Sequence, residues 1–318
     1  ARYVRAPTLG GENSRMTNGL FPLTILIATR NRARSLSRAL DTLDRAVAWV
    51  DVPVEIVVVD NGSIDDTPEI LARWSARDPD RRLVLREDQP GKARALNAAW
   101  PRARGATLAF TDDDVEVPAT WVGSALSFAE HRHEYSAATG PVTLPPSQRT
   151  ADFIACVEWY RTLPLFDLGP SERETKHLYG CNMVVRRAAL AAVGGFDPRL
   201  GPGASGLHED GDLARRLRAA GHRILYFPRL EMHHPADPQR LTWEFFCSLH
   251  RADARSRWVR DGNRGLRYAL QHWFGAVAVW LFWSAVRNRN RQMRARGRLV
   301  SHSEYLRLWW QHRRKASE

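Results

Sequence analysis

From Leu23 onward, short apolar runs alternate with segments in which apolar residues return every three or four positions. Leu23 to Ala28 is the first such run. Leu36, Leu40, Leu43 and Val47 follow at helical spacing, so a strand leads into a helix. Val54 to Val59 predicts a second strand, and Thr67 with Pro68 the N-cap and first turn of a second helix. Arg82 to Leu85 predicts a third strand, Lys92 to Ala103 a third helix and Ala106 to Phe110 a fourth strand. Strands this uniformly apolar are covered on both faces, so the order predicts an α/β fold with a mostly parallel central sheet flanked by helices.

Ligands of such sheets sit beyond the carboxyl ends of the strands. Thr29, Arg30 and Asn31 follow the first strand, Asp60 and Asn61 the second, and Asp112, Asp113 and Asp114 the fourth. A single acid there is as readily a helix cap. Three consecutive acids repel one another, and a cation relieves that repulsion. Oxygen ligands without a Cys or His cluster favour Mn²⁺ or Mg²⁺ over zinc, with the shell completed by substrate phosphates and water. The chain has no GxxxxGK[ST] loop and no GxGxxG turn after a strand, so phosphate charge falls to metal and cationic side chains. Lys92 and Arg94, opening a helix whose N-terminus favours anions, are candidates; the alternative is ordinary surface charge.

Downstream lie Gly180-Cys181-Asn182-Met183, Gly194-Gly195-Phe196-Asp197, a glycine-rich stretch from Gly201 to Gly206, and His208-Glu209-Asp210. Leu213 and Leu217 among Arg215, Arg216 and Arg218 predict an amphipathic helix stopped by Gly221. Asp210 at its start is either a cap or a general base held at the crevice and gated by the glycines before it. His233 and His234 follow a predicted strand at Arg223 to Phe227. They read as structural residues, with His234 also a candidate metal ligand.

Charge divides the 318-residue chain unevenly. Net charge is +12, yet residues 1–237 hold 30 basic and 30 acidic side chains while residues 238–318 hold 17 and 5, with 7 of the 12 Trp. Three regions are expected: an N-terminal extension over 1–21, a catalytic domain over 22–237, and a helical Trp- and Arg-rich region over 238–318. In that last region Trp273 to Val286 is almost wholly apolar and is followed by six arginines between Arg287 and Arg298. It reads as an interfacial helix on an anionic membrane surface, against the alternative of a buried helix with solvated charges. No nucleic-acid module accompanies the arginines, so nucleic acid is not an expected partner. Three scattered cysteines argue against a disulfide framework or structural zinc and suggest a cytoplasmic protein, peripheral at the inner membrane face. The first 19 residues lack an apolar core of signal-peptide type, and no run reaches spanning length.

Four segments, in order, resemble the family 2 inverting glycosyltransferases of GT-A fold: IATRNR (27–32), VVVDNGSIDDT (57–67), GKARALNAAWPRARGATLAFTDDDVEVPATW (91–121) and GCNMVVRRAALAAVGGFDPRLG with HEDGDLARRLRAAGHRILYFP (within 180–228). The resemblance covers Pro22 to Arg251. It implies donor contacts from Thr29, Arg30 and Asp60, and from Lys92, Asn97, Asp112 and Asp113 near nucleotide and metal. Its DxD element falls on Asp112 to Asp114: Asp112 with Asp114 satisfies the pattern literally, whereas counting back from Pro118 points to Asp113. Asp210 matches the acid expected as base, with Glu209 and Asn182 on the acceptor side. The family's usual second acid after Asp60 is Asn61 here.

The resemblance therefore implies metal-dependent transfer from a nucleotide diphosphate sugar, most often a UDP-sugar, to a hydroxyl of a glycan or lipid-linked acceptor. The residues agree with that chemistry, because a dication stabilises a departing diphosphate while a carboxylate deprotonates the incoming hydroxyl. A nucleotidyltransferase on a related sheet and a noncatalytic sugar- or lipid-binding scaffold are the alternatives.

Overall fold

The computed structural model describes residues 21–160 and 162–315. The expected N-terminal extension therefore lies outside the described residues apart from Phe21. The first half runs β1 (Leu23–Thr29), α1 (Ala33–Val47), β2 (Val54–Asp60), α2 (Thr67–Ser75), β3 (Arg82–Arg86), α3 (Lys92–Ala99), β4 (Thr107–Thr111) and α4 (Trp121–His131). Then come β5 (Ala137–Thr139), β6 (Val142–Thr143), α5 (Ala151–Tyr160), β7 (Arg173–Glu174), β8 (Asn182–Arg186), α6 (Arg187–Ala192), α7 (Glu209–Ala219), β9 (Ile224–Tyr226) and β10 (Met232–His233). Three long helices follow: α8 (Trp243–Asp261), α9 (Gly265–Ala285) and α10 (Arg289–Lys315).

Among the described residues, eight strands form one sheet in the order β3-β2-β1-β4-β8-β5-β9-β7. The first four pair in parallel, as their apolar runs predict. Alternate residues serve opposite faces. Leu23, Ile25 and Ile27 of β1 pack with Leu36, Leu40 and Leu43 of α1 and with Trp121 and Phe128 of α4. Leu26 faces the other way, toward Leu96 of α3 and Leu213 and Leu217 of α7. Each of these buried leucines contributes roughly 2 kcal/mol of transfer free energy.

Two helix limits differ from expectation. Helix α3 stops at Ala99 rather than Ala103, because Pro101 has no N–H to continue the hydrogen-bond ladder. Thr67 is not the cap of α2 but its first residue, after Asp66, and its hydroxyl accepts a hydrogen bond from the Arg32 N–H.

Strand β8 runs antiparallel between β4 and β5, which the apolar pattern alone does not reveal. Its direction matters for the site. Asn182 pairs with Thr111, so the chain enters β8 at the carboxyl end of β4 and brings Gly180 and Cys181 beside the aspartates that follow it. An isolated bridge between Glu116 and His233 likewise lays the end of β10 against the same turn.

The last three helices confirm the helical, basic character expected of residues 238–318. Helix α10 lies against α8 so closely that a Cβ on Gly297 would stand 2.3 Å from the His250 ring. Its inward stripe includes Met293, Ser301, Tyr305 and Trp309. Helix α9 buries only Ala269 and Ala276 fully and turns Phe274, Leu281 and Phe282 outward. No helix among the described residues is long and apolar enough to cross a membrane.

Candidate active site

The carboxyl ends of β1, β2 and β4 form one end of the cleft. Thr29 Oγ1 donates to Asp113 Oδ2 at 2.7 Å, and Asp60 accepts from the Ser63 N–H at 2.8 Å and from Arg86 at 3.1 Å. Arg30, between them in sequence, is exposed. Asn61 has a role that an acid could not fill. Its Nδ2 donates to the carbonyls of Glu87 and Gln89, and its Oδ1 accepts from the Gly91 N–H at 2.7 Å. An aspartate has no proton for those two carbonyls. The departure from the family pattern thus fixes the loop that delivers Lys92.

Lys92 is the hub. Its ammonium pairs with Asp112 and lies 3.6 Å from Glu209 Oε1. A Cβ placed on Gly180 would meet Lys92 Nζ at 3.2 Å, Asp210 Oδ2 at 3.5 Å and Glu209 Oε1 at 3.7 Å, so three charged ends converge around this glycine. Asp210 is fixed there by two backbone donors, Gly180 N–H at 2.8 Å and Gly211 N–H at 2.6 Å. The acids after β4 and the acids opening α7 therefore face a shared cleft.

Burial and charge divide these groups. Burial works against the Lys92 charge, but Asp112, Glu209 and Asp210 outweigh it and hold the ammonium well above its ordinary pKa. Asp112 is also penalised by burial, and Lys92 more than offsets this and lowers it. Glu209 is pushed up to about 7 by burial, with Lys92 opposing and Asp210 adding to the rise. Asp113 also rises to about 7, from burial and the neighbouring charge of Asp114. These are the opposed carboxyl environments typical of reactive clefts.

The structure places three of the expected site groups in surroundings that the sequence does not show. The aspartate trio does not converge on one cation: Asp112 turns to Lys92, Asp113 to Thr29, and Asp114 to Arg240 at 2.6 Å, Arg32 at 3.4 Å and His234 at 3.5 Å. Consecutive residues leaving a strand point different ways, so each carboxylate has its own side-chain partner. Among the described residues no group of three or more His, Cys, Asp or Glu is arranged to hold a metal alone. Asn182, expected on the acceptor side, is fully buried; it accepts from Trp121 Nε1 and donates to the carbonyls of Pro141 and Leu230. Asn97, expected near the donor, closes both its amide atoms on the backbone of Phe196.

Sequence reasoning missed Arg32 and Arg240 on Asp114, since partners 82 and 126 residues away leave no spacing signal. It also missed what the glycine-rich loop does. Gly203 lies against Gly91, where a Cβ would stand 2.9 Å from backbone atoms, and the Lys92 N–H donates to the Pro202 carbonyl at 2.9 Å. Glycine here permits close approach of the loop to the start of α3.

This fold is the GT-A architecture of glycosyltransferases. The model of glycosyl transferase family 2 matches residues 24–194, and the chain belongs to that family. It is 30% identical over 292 residues to the N-acetylglucosaminyl-diphospho-decaprenol L-rhamnosyltransferase of Mycobacterium tuberculosis, covering 78% of this chain and 92% of that protein. It is 27% identical over 266 residues to the succinoglycan biosynthesis protein ExoM of Rhizobium meliloti, covering 78% and 82%. Among solved structures, the fold is similar to the mannosyltransferase PcManGT of Pyrobaculum calidifontis in complex with GDP-Man and Mn²⁺, with a TM-score of 0.53 and 20% identity over 92% of this chain and 75% of that one. TarS of S. aureus in complex with UDP-GlcNAc gives a TM-score of 0.54 and 16% identity over 92% of each chain. The protein is a glycosyltransferase, which leaves the nucleotidyltransferase and scaffold alternatives without support.

Proposed function

We propose that the enzyme moves a sugar from a nucleotide diphosphate donor, such as a UDP-sugar, to a hydroxyl of a lipid-linked or glycan acceptor, with inversion at the anomeric carbon. The observation that carries this reading is the convergence of Lys92, Glu209 and Asp210 on Gly180 beside Asp112. Thr29, Arg30 and Asp60 line the nucleotide end. Lys92 supplies positive charge where phosphate arrives, and the two backbone donors aim Asp210 into the cleft. Asp210 takes the proton of the acceptor hydroxyl as its oxygen bonds to the anomeric carbon and the bond to the diphosphate breaks on the opposite face. Glu209, held near neutral pH, sits beside it on the acceptor side.

The donor set after β4 fits a hard dication that takes part of its shell from phosphate: carboxylate oxygens prevail, and burial together with the neighbouring charge of Asp114 lifts Asp113 to about 7, a rise that a bound dication would oppose. Asp112 and Asp114, with Asp113 or His234 alongside, are the groups that would hold Mn²⁺ or Mg²⁺, which when bound stabilises the leaving diphosphate. The M. tuberculosis relative is named for a diphospho-decaprenol acceptor, which supports a lipid-linked acceptor here. Residues 22–237 are then the catalytic domain. The outward Phe274, Leu281 and Phe282 of α9, beside the arginines of α10, would rest on the anionic inner face of a membrane.

The test combines binding and turnover. Thermal shift with UDP-GlcNAc, GDP-mannose and an L-rhamnosyl nucleotide, with and without Mn²⁺, identifies the donor, since a bound ligand raises Tm by mass action. Asp210→Asn is expected to keep that shift while lowering kcat at least about 1,000-fold. Retained turnover in this variant refutes the base assignment.

A further inference from the structure

The segment that carries Asp210 into the cleft is anchored from outside the α/β sheet. His208, immediately before Glu209, adopts a left-handed backbone with φ of 76°. Its Nε2–H donates to Asp253 Oδ1 of α8 at 2.8 Å. One residue earlier, the Leu207 N–H donates to Ser256 Oγ at 2.9 Å, and Ser205 shares a hydrogen bond with the same hydroxyl. Gly206 lies so near α8 that a Cβ would stand 2.6 Å from that of Ala252. Ala252 and Asp253 each lie within one turn of Ser256 on α8, and all three contact the loop.

Apolar packing alone does not hold this seam. A cavity of about 460 Å³, lined in part by Pro198, Gly203, Ala204, Ser205, Arg255 and Trp258, opens between loop and helix. Polar pins are left to fix the loop, and Asp253 is the most firmly placed of them. It also accepts from Ser301 of α10 at 2.9 Å and from Arg257 at 2.5 Å. Burial alone would raise its carboxyl, but the His208 hydrogen bond and the Arg257 charge more than offset this.

We infer that Asp253 is a positioning residue for transfer: through His208 it sets the backbone that aims Asp210, so α8 and α10 are part of the catalytic apparatus without touching substrate. This rests on the reading of Asp210 as base. No such role can be read from the loop alone, because the left-handed residue that starts α7 has no side-chain cap of its own.

The test cuts one bond from both sides. Asp253→Ala removes the acceptor. His208→Asn keeps a side chain that tolerates the left-handed region but is too short to reach α8. With the donor found by thermal shift, each is expected to lower kcat 10- to 100-fold while donor KM stays within twofold, and the double variant to be no worse than either single one. Asp253→Asn retains an acceptor oxygen and should recover most of the loss. Hydrogen exchange on the protein alone should quicken at residues 205–212 and stay unchanged in β1 and β2. Unchanged kcat, additive losses, or a rise in KM matching the fall in kcat would overturn the inference. Should Asp253→Ala fail to fold, His208→Asn and Asp253→Asn still decide it. An active Asp210→Asn would instead sink the base assignment, whatever exchange shows at 205–212.

Discussion

Replacing Lys92 by Met separates the electrostatic reading of the cleft from a merely steric one. Methionine fills most of the lysine volume and removes the charge. The side chain is 15% exposed, and its partners Asp112 and Glu209 are 24% and 8% exposed, so water compensates the loss poorly. Removing one member of a buried pair costs about 3–5 kcal/mol when the remaining charge cannot escape. Here part of it can, because the carboxyls take up protons. Glu209 already binds its proton more tightly than its ordinary value of 4.5, and without Lys92 it rises further. A carboxyl raised on folding makes the folded state retain a proton that the unfolded chain releases, so stability falls as pH climbs from the ordinary value through the raised one. In the wild type Lys92 opposes this, and its own contribution, being that of a raised lysine, persists until pH passes 10.5. The loss in Lys92→Met should therefore be about 3 kcal/mol at pH 8, roughly 6 °C in Tm, and about 1 kcal/mol at pH 5. Urea unfolding followed by Trp fluorescence at both pH values reads it directly. A loss independent of pH, or below about 1 kcal/mol at pH 8, would refute the claim that Lys92 neutralises the two acids.

Two further outcomes follow from the same structure. Gly203→Ala meets both a φ of +82° and backbone of Gly91 at 2.9 Å, whereas Gly194→Ala meets only a φ of +74° in open space. The second should cost about 1 kcal/mol in thermal unfolding and the first 1–3 kcal/mol more; equal losses would show that the loop does not press on α3. Vesicles rich in anionic lipid should carry the protein upward in flotation, and joint replacement of Phe274, Leu281 and Phe282 by Ser should weaken this by roughly 2–3 kcal/mol, about 30- to 160-fold. Unchanged flotation would remove the membrane from the account.

What the sequence discloses follows from how local the responsible forces are. Strands β1, β2 and β4 are legible because burial on both faces forces nearly every residue to be apolar, β3 at the partly buried edge by its short run Leu83 to Leu85, and α7 because Leu213 and Leu217 face the sheet while its arginines do not. Strands β5 and β7, three and two residues long, carry no periodicity at all. At the site, residue type was readable and direction was not. Asp112, Asp113 and Asp114 look like one cluster in sequence, yet each is turned by a different distant partner. Asn182 looks like a polar site residue, but Trp121, Pro141 and Leu230 enclose it from 61, 41 and 48 residues away. Sequence distance hides such networks, and the His208–Asp253 bond, spanning 45 residues, is hidden for the same reason.

The change in composition at residue 238 is therefore not a limit of the active site. The segment up to residue 237 is charge-balanced as a whole, yet its cleft gathers Asp112, Asp113, Asp114, Glu209 and Asp210 around Lys92 and Arg32. Arg240, just past the balanced segment, supplies a further cation at 2.6 Å from Asp114. Asp253, farther on, supplies the acceptor that fixes His208. Acids crowded in a cleft repel one another, and the repulsion is strongest when the cleft holds no divalent cation. Arg240, in the turn that leads into α8, offsets part of that repulsion at Asp114, so the charge of the cleft depends on a residue beyond the balanced segment. The basic excess of the last quarter then has two origins: Arg240 answers to the site, while the arginines of α10 beside the exposed face of α9 answer to whatever surface those helices meet.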